Sequence, residues 1–466
     1  MNANIPIIPE TITVHLGPPN SRAENVTLPF LDYVANVASS EIYPTWPENA
    51  IRANMYAQIS FALNRIYTEF YRSRGYDFDI TNSTAYDQSF VKDRDVFENI
   101  RELAGELFNN YIVRGNNVEP LFAAYCDGIE VTCAGLSQWG SVTLAERGLT
   151  PYEILQNYYG NDINLVFDAP VAGIDASVPD FPLRAGSVGD DVRTVQIRLN
   201  RISKNYPAIP KIVTPDGFFA QDTEEAVMEF QRIFGLTPDG IVGKATWYEI
   251  QKIYGAVKRL NELDSEGINI SDVTEQFPGD LSFGDTGNFV ANLQVYIDYL
   301  AAYYSTVPAV AVDGVFGNET QNAIFAIQRT FDLPITGVVD AATWEAIYRA
   351  YLGIIATIPV DLSRSEAIPY QGVPLRVGSE GEEVRLLQEY LNFVGRYYPS
   401  IPPVNVTGYF GNQTQQAVLA FERLFGIAEL GVVGLLTWSL LADLYDDLMG
   451  GATIREGQYP GYEIGG

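Results

Sequence analysis

The sequence predicts a multidomain protein: an α+β block followed by three small all-α modules of three helices each. Two observations carry this fold class. One pattern is written three times in the second part of the chain, and the first 170 residues hold no copy of it while mixing helical periodicity with strand-like alternation. A length of 466 residues suits roughly three or four domains, which such a division supplies.

The first copy runs from Leu183-Arg184-Ala185-Gly186-Ser187-Val188-Gly189 through Val195-Gln196, Asp216-Gly217-Phe218-Phe219 and Phe230-Gln231 to Thr246-Trp247. The second carries Gly284, Gly287, Gln294, Asp313-Gly314-Val315-Phe316-Gly317, Gln328 and Thr343-Trp344. The third carries Gly378, Gly381, Gln388, Thr407-Gly408-Tyr409-Phe410-Gly411 and Thr437-Trp438. The tryptophans recur at intervals of 97 and 94 residues. These marks place modules over 182–256, 280–353 and 374–447. In each, two glycines open a turn and a first helix presents Val192, Val195 and Leu199 or their equivalents. An Asp-Gly turn leads to a second helix, and the tryptophan sits on a third. Segments around Asp168 to Phe181, Asp264 to Asp280 and Thr357 to Pro374 read as linkers, and the glycine-rich 448–466 as a mobile tail. Copy one has Phe219-Ala220 where Phe-Gly is expected, and copy three has Thr407-Gly408 for Asp-Gly. Unequal ligand affinity among the copies is therefore expected, with the third the weakest.

Composition narrows the function. With 47% hydrophobic and 12% aromatic residues the chain can bury several cores. Against 29 basic residues stand 58 acidic ones, a net charge of -29 that repels nucleic acid and anionic lipid. Residues 1–20 show no basic n-region and no continuous apolar run, and no later stretch approaches a membrane span, so neither Sec export nor membrane insertion is expected. Cys126, Cys133 and His15 are the whole thiol and imidazole inventory, too few for a Cys/His four-ligand zinc site. A local disulfide ranks first, then free thiols, then a mixed-ligand metal site.

In the N-terminal block, 1–170, Thr11 to Leu16 reads as a strand holding a structural His15. Leu31, Val34, Ala35 and Ala38 mark one helical face, and Glu41 follows at the helix end, where the helix dipole disfavours a carboxylate. Pro47-Glu48 suits the first turn of a long helix with Ile51, Met55, Ile59, Ala62, Ile66 and Phe70 on its face, ending near Gly75. Tyr76 to Ile80 alternates as a half-exposed strand. Val96, Ile100, Leu103, Leu107 and Tyr111 predict a further helix, Leu121 to Cys126 a buried strand. Gly135-Leu136-Ser137-Gln138-Trp139-Gly140 is a loop feeding a helix that stops at Gly148, and Pro151 to Tyr159 is another.

The ordered motifs of the repeats resemble the peptidoglycan-binding module of bacterial wall hydrolases. The N-terminal block resembles the stage II sporulation protein D (SpoIID)/LytB catalytic domain. The marks are Leu28-Pro29-Phe30-Leu31-Asp32-Tyr33-Val34, Ser40-Glu41-Ile42-Tyr43-Pro44-Thr45-Trp46-Pro47, Ser83-Thr84-Ala85-Tyr86-Asp87-Gln88 and above all Ser137-Gln138-Trp139-Gly140 with Tyr152-Glu153-Ile154-Leu155 and Tyr158-Tyr159. Block and first module together look like clostridial spore-cortex-lytic enzymes of the SleC type, with modules two and three as added copies. The resemblance implies a lytic transglycosylase cutting the MurNAc-β-1,4-GlcNAc bond of peptidoglycan glycan strands, in the spore cortex or coat or the outer wall, without a cofactor. Zinc-bearing members place thiols near the segment matching Ser83 to Gln88; none occur there, so no metal carries over.

The same resemblance makes Glu41 the catalytic acid and then base, its pKa raised by apolar neighbours such as Tyr43 and Trp46. Trp46, Tyr86 and Trp139 are candidates to stack on sugar rings, and Gln88, Ser137 and Gln138 to position hydroxyls. Periodicity alone would leave Glu41 a solvated helix-end residue, and the others turn polars and core aromatics. Two rivals stand beside the transglycosylase. One is a non-catalytic peptidoglycan- or coat-binding protein built on a degenerate enzyme block. The other, a cysteine peptidase, would pair Cys126 or Cys133 with His15.

Overall fold

The computed structural model describes residues 6–173, 177–179, 182–273, 277–355 and 370–449; all but the first two residues of the predicted tail, which belong to the last helix, and most of the last predicted linker lie outside them. The chain divides into two compact units. One holds 1–178, 197–209 and 244–275; the other holds 179–196, 210–243 and 276–466.

The first unit is built in chain order from β1 (Ile8–Pro9), β2 (Thr11–His15), β3 (Asn25–Pro29), α1 (Phe30–Glu41), α2 (Glu48–Tyr67), β4 (Ile80–Thr81), α3 (Glu98–Leu107) and β5 (Tyr111–Arg114). There follow β6 (Tyr125–Cys126), β7 (Leu136–Ser137), α4 (Gln138–Glu146), α5 (Pro151–Tyr159), β8 (Ile163–Val166) and β9 (Val171–Ala172). Its sheets are small: β2 lies between antiparallel β3 and parallel β4, β5 pairs antiparallel with β8, and β6 runs parallel to β7. The α+β character expected of the block is present.

Helix α2 is buried on all sides from Ala53 to Arg65, not amphipathic as its apolar spacing suggests. It stops at Tyr67, short of Gly75, because Glu69 takes a left-handed φ of 48° and Phe70 N–H bonds back to Arg65 O, which closes a Schellman end. Phe70 is therefore outside the helix. Tyr111, expected to extend the third helix, begins β5 after the chain reverses at Leu107. Of the strand predicted over Tyr76 to Ile80, only Ile80 pairs, and of Leu121 to Cys126 only the last two residues do. Alternation marked the buried side chain Phe78, and the apolar run marked Leu121, without guaranteeing a ladder partner.

The repeats supply α6 (Asp190–Ser203), α7 (Gln221–Ile233), α8 (Lys244–Val257), a single turn α9 (Ile270–Val273), α10 (Asn288–Ala301), α11 (Asn318–Thr330), α12 (Ala341–Ile355), α13 (Glu382–Val394), α14 (Asn412–Leu424) and α15 (Leu435–Met449). Three helices per copy appear as predicted. Within the first unit, the segment from α8 to α9 is packed into the block. Asn64 Nδ2 donates to Leu260 O, Gln251 Nε2 to Thr68 O, and Ile268 N–H to Glu119 Oε2. Residues 264–273, read as linker, are thus part of a folded unit. In the second unit, copies two and three share one hydrophobic cluster that includes Trp344 and Trp438.

Buried amide side chains brace the turns of every copy. Gln196 accepts from Gly217 N–H at 2.9 Å and donates to Phe218 O at 2.9 Å. Gln294 does the same with Gly314 and Val315, and Gln388 with Gly408 and Tyr409. The braced glycines have φ of 67–76°, and a Cβ there would press on the carbonyl of the glycine that starts the first helix. Neither departure from the repeat pattern disturbs this. Thr407 Oγ1 accepts from Tyr409 N–H as Asp216 and Asp313 accept two residues on, and Ala220 has the φ of -91° also found at Gly317.

A second brace uses Gln231 on Gly240 and Ile241, and Gln328 on Gly337 and Val338. In copy three the residue is Glu422, 1% exposed, which accepts from Gly431 N–H at 2.8 Å. An ionised carboxylate has no hydrogen with which to make the second bond. Burial pushes this carboxyl up to about 7, opposed by the backbone N–H groups of Gly431, Leu430 and Val432. A folded-state value above the ordinary one means full stability below about pH 4.5, lost as pH rises through 7. Glu422→Gln should therefore raise the melting temperature at pH 8, by the equivalent of about 1–3 kcal/mol, and leave it nearly unchanged at pH 4. Equal shifts at both pH values would refute the ionisation account.

Candidate active site

Glu41 is the last residue of α1, and the chain leaves it extended at Ile42. Its carboxylate is turned into the first unit and held by three donors. Ser89 N–H reaches Oε1 at 2.7 Å, while Gln58 Nε2 and the Tyr125 hydroxyl each reach Oε2 at 2.7 Å. Burial raises the pKa to about 7, and the three hydrogen bonds, led by Ser89, hold it back from rising further. Glu41 therefore keeps its proton to higher pH than an ordinary carboxyl.

Each donor comes from a different element. Gln58 lies midway along α2, and Tyr125 opens β6, whose register with β7 sets Tyr125 beside Leu136 and Cys126 beside Ser137. Ser89 belongs to the loop after β4, which is anchored by Asp87. That carboxylate takes the Arg65 guanidinium at 2.9 Å, the Tyr71 hydroxyl at 2.5 Å and both Thr81 donors, so its capacity is spent structurally. Arg65 also lies over the Phe70 ring at 3.8 Å. Cys126 and Cys133 form a disulfide, the first-ranked expectation, and close the loop that leads from β6 towards β7.

Of the predicted ring-stacking residues, Trp46 and Trp139 meet at 4.9 Å between centroids, and Tyr43 joins both at 5.5 and 5.7 Å. Tyr43 is 56% and Trp139 40% exposed, so this cluster shows open ring surface two and more residues beyond Glu41. Tyr86 is exposed on the loop before Asp87, outside that cluster. Gln88 is a correction. It is fully buried, accepts from the Tyr33 hydroxyl and donates to Gln58 O and the Tyr125 hydroxyl, so it positions Tyr125 and has no face for a sugar.

Ser137 caps α4 by accepting from Gly140 N–H, and Gln138 is buried at that helix's first position. A Cβ on Gly140 would collide with the Tyr158 hydroxyl and Ser137 Oγ, which accounts physically for the Ser-Gln-Trp-Gly order. Tyr125, Gln58, Ser89 and Tyr33 were not singled out in the sequence. The one signal that could have found them is the polar Gln58 set between the apolar Ala57 and Ile59 of the long helix.

The cysteine-peptidase arrangement is absent: both sulfurs are bonded to each other, and His15 pairs with Asn25 and Ser21 while stacking on Phe78. Among the described residues no group of three or more His, Cys, Asp or Glu is placed to hold a metal ion, and no helix is long and apolar enough to cross a membrane.

Comparison with known proteins bears on the repeats. Residues 188–250, 286–347 and 380–441 match the family described as "Putative peptidoglycan binding domain". An N-acetylmuramoyl-L-alanine amidase, CwlL of Bacillus licheniformis, is 30% identical over 159 residues, 33% of this chain and 42% of that protein. The amidase CwlM of Mycobacterium tuberculosis is 33% identical over 130 residues, 28% of this chain and 27% of that one. The zinc D-Ala-D-Ala carboxypeptidase of Streptomyces albus G is 39% identical over 71 residues, 15% of this chain and 26% of that one. The chain spans less than half the length of each of these relatives. No solved structure matches. What is established is a multidomain chain whose three helical repeats match a peptidoglycan-binding family and which shares segments with enzymes of the bacterial cell wall.

Proposed function

We propose that this protein is a lytic transglycosylase that cuts the MurNAc-β-1,4-GlcNAc bond of peptidoglycan, held on the polymer by its repeats. The observation that carries the reading is the single carboxyl of Glu41, desolvated to a pKa of about 7, bound by three donors and followed directly by an exposed aromatic cluster. Asp87, near it in the network, is neutralised by Arg65. Hydrolytic glycosidases use two carboxylates, one of which activates water or attacks the sugar. A transglycosylase needs one.

Glu41 would give its proton to the glycosidic oxygen as the C1–O4 bond breaks, leaving a free GlcNAc 4-hydroxyl. The muramic acid C6 oxygen then bonds to C1, and its proton returns to Glu41. The product is a 1,6-anhydro end and the acid is regenerated. Tyr43, Trp46 and Trp139 would stack on the sugar rings. Cortex peptidoglycan of spores is the substrate that the resemblance of the block suggests.

The relatives favour a second reading, cleavage of the muramoyl–alanine amide, since two of them bear that name. The shared stretches, 71 to 159 residues, are the size of one or two repeats, however, and the relatives that show them differ in chemistry. A zinc centre, as named for the carboxypeptidase, finds no donor set among the described residues: the one histidine has both nitrogens engaged, the two cysteines are bonded, and no three or more His, Cys, Asp or Glu are grouped to hold a metal.

Digestion of purified sacculi with mass analysis of the products separates these. Glu41→Gln should lower release of anhydro-ended fragments by roughly 10²–10⁴-fold while the protein still pellets with sacculi. Reducing muramic ends would mean hydrolysis, free alanine amino ends an amidase, and pelleting with no release from the unaltered protein a non-catalytic binder.

The proton-donating role also sets a pH profile. Because Glu41 must be protonated, kcat/KM should fall as pH rises through about 7. Tyr125→Phe removes a donor that favours the carboxylate, so this limb should move to higher pH by about one unit. A limb unmoved by that change would separate Tyr125 from the acid.

A further inference from the structure

Each repeat presents a pair of turns laced together in the same way. In copy one Gly186 N–H bonds to Phe219 O and Gly189 N–H to Gly217 O; in copy two Gly284 bonds to Phe316 and Gly287 to Gly314; in copy three Gly378 bonds to Phe410 and Gly381 to Gly408. The copies differ in what meets that face. Within the second unit, copy one has it filled by copy two. Asn288 Nδ2 donates to Asp216 Oδ2 at 2.7 Å and Asn292 Nδ2 to Asp216 O at 2.8 Å, while the Tyr348 hydroxyl donates to Asp190 Oδ2 and the Tyr351 hydroxyl to Val188 O. Val188 and Asp216 are buried as a result, at 9% and 7% exposed.

The same face of copy two is open. Thr286 and Asp313, which stand where copy one has Val188 and Asp216, are exposed, as are Phe283 at 56% and Val315 at 45%. Asp313 Oδ1 is spent on its own turn, accepting from Gln294 Nε2 and Val315 N–H, much as Asp216 Oδ1 accepts from Phe218 N–H. Among the described residues no donor meets Asp313 Oδ2, the counterpart of the oxygen that Asn288 reaches in copy one. Copy three is open at Tyr409 but carries Thr407, whose one hydroxyl accepts from Tyr409 N–H, so the second carboxylate oxygen is missing there.

We propose that this face of copy two binds two amide N–H groups of an outside chain, one on Asp313 Oδ2 and one on Asp313 O, with Phe283 and Val315 as its apolar flank. The side chains lodged on copy one supply the template, since there two carboxamides donate to the carboxylate and the carbonyl of a single aspartate. An N–H bond to a carboxylate is stronger than one to a neutral acceptor, which makes copy two a better holder than copy three. Wall peptidoglycan offers such N–H groups from two sources, the N-acetyl groups of its sugars and its stem peptides. The inference rests on the reading that the repeats hold the protein on that polymer, and names the copy and the atoms that do so; Glu41 has no part in it.

Co-sedimentation of the full chain with purified sacculi measures the binding, with Glu41→Gln as the parent protein so that the polymer stays intact. Asp313→Asn keeps Oδ1 for the turn and changes only the oxygen offered to the ligand. It should weaken binding at least about tenfold, a loss of about 1.4 kcal/mol, with the melting temperature unmoved. Asp216→Asn should do the reverse: it sets a donor against Asn288 and lowers the melting temperature, while sacculus affinity stays as in the parent. Asp313-dependent binding that persists on peptide-free glycan strands assigns the N-acetyl groups as the source, and binding lost with the peptides assigns the stems. Cellulose, a glucan without amides, should not bind. Equal affinity of Asp313→Asn and the parent, a folded Asp216→Asn protein weakened as much as Asp313→Asn, or Asp313-dependent binding to cellulose would overturn the proposal. A parent protein that does not sediment at all would overturn retention by the repeats as a whole, a different result from sedimentation that ignores Asp313.

Discussion

Helix α2 buries a run of polar side chains, Asn54, Gln58, Ser60, Asn64 and Arg65, and the first unit is arranged to give each of them a partner, although the amide oxygens of Asn54, Gln58 and Asn64 stay without one. Asn54 Nδ2 reaches Ala50 O and Ser141, Gln58 reaches Glu41, Ser60 accepts from Ile112 N–H, and Asn64 reaches Pro120 O. Arg65 is met by Asp87, and Thr68 by Asn64 O. The bonds to Ser141, Glu41, Ile112, Pro120 and Asp87 tie distant stretches of chain to the same helix. Losing any of them would strand a polar group out of water, which is costlier than never having made the bond. The loop that brings Ser89 to Glu41 is fixed in this way, through Asp87 and Arg65.

The carboxyl of Glu41 belongs to the same network but is treated differently. Asp87 receives a guanidinium, whereas Glu41 receives only neutral donors. Burial without a cation favours the protonated form of Glu41, so what faces each acid of the network differs in kind. Tyr33, Gln88 and Tyr125 form the line that keeps the donors aimed.

Periodicity and turn chemistry were enough to read α1, α5 and the helices of the repeats, because glycine, proline and apolar spacing are local signals. The short ladders were less legible: β5 and β8 pair across fifty residues, and nothing within Tyr111 to Arg114 announces Ile163 to Val166 as a partner. Glu41 stood out only through a resemblance, since its burial depends on Gln58, Ser89 and Tyr125, each remote in sequence. Gln88 was read as a polar turn residue open to a ligand and is instead fully buried, as a sequence does not say which end of a polar side chain faces water. Glu422 escaped notice altogether; in the line of the chain it is one more acid in a strongly acidic protein.

The braces in the repeats grip the backbone of the turn and leave its side chains alone. Gln196, Gln294 and Gln388 hold the N–H of the turn glycine and the carbonyl of the residue after it, and only the glycine is fixed in type, by its left-handed backbone. The side chains borne by those turns are Phe218, Val315 and Tyr409, three different shapes on one scaffold. After duplication, such a turn can drift in sequence without loosening its helices. Divergence in what each copy recognises is then free of folding selection, and one ancestral module can become three distinct readers of a polymer.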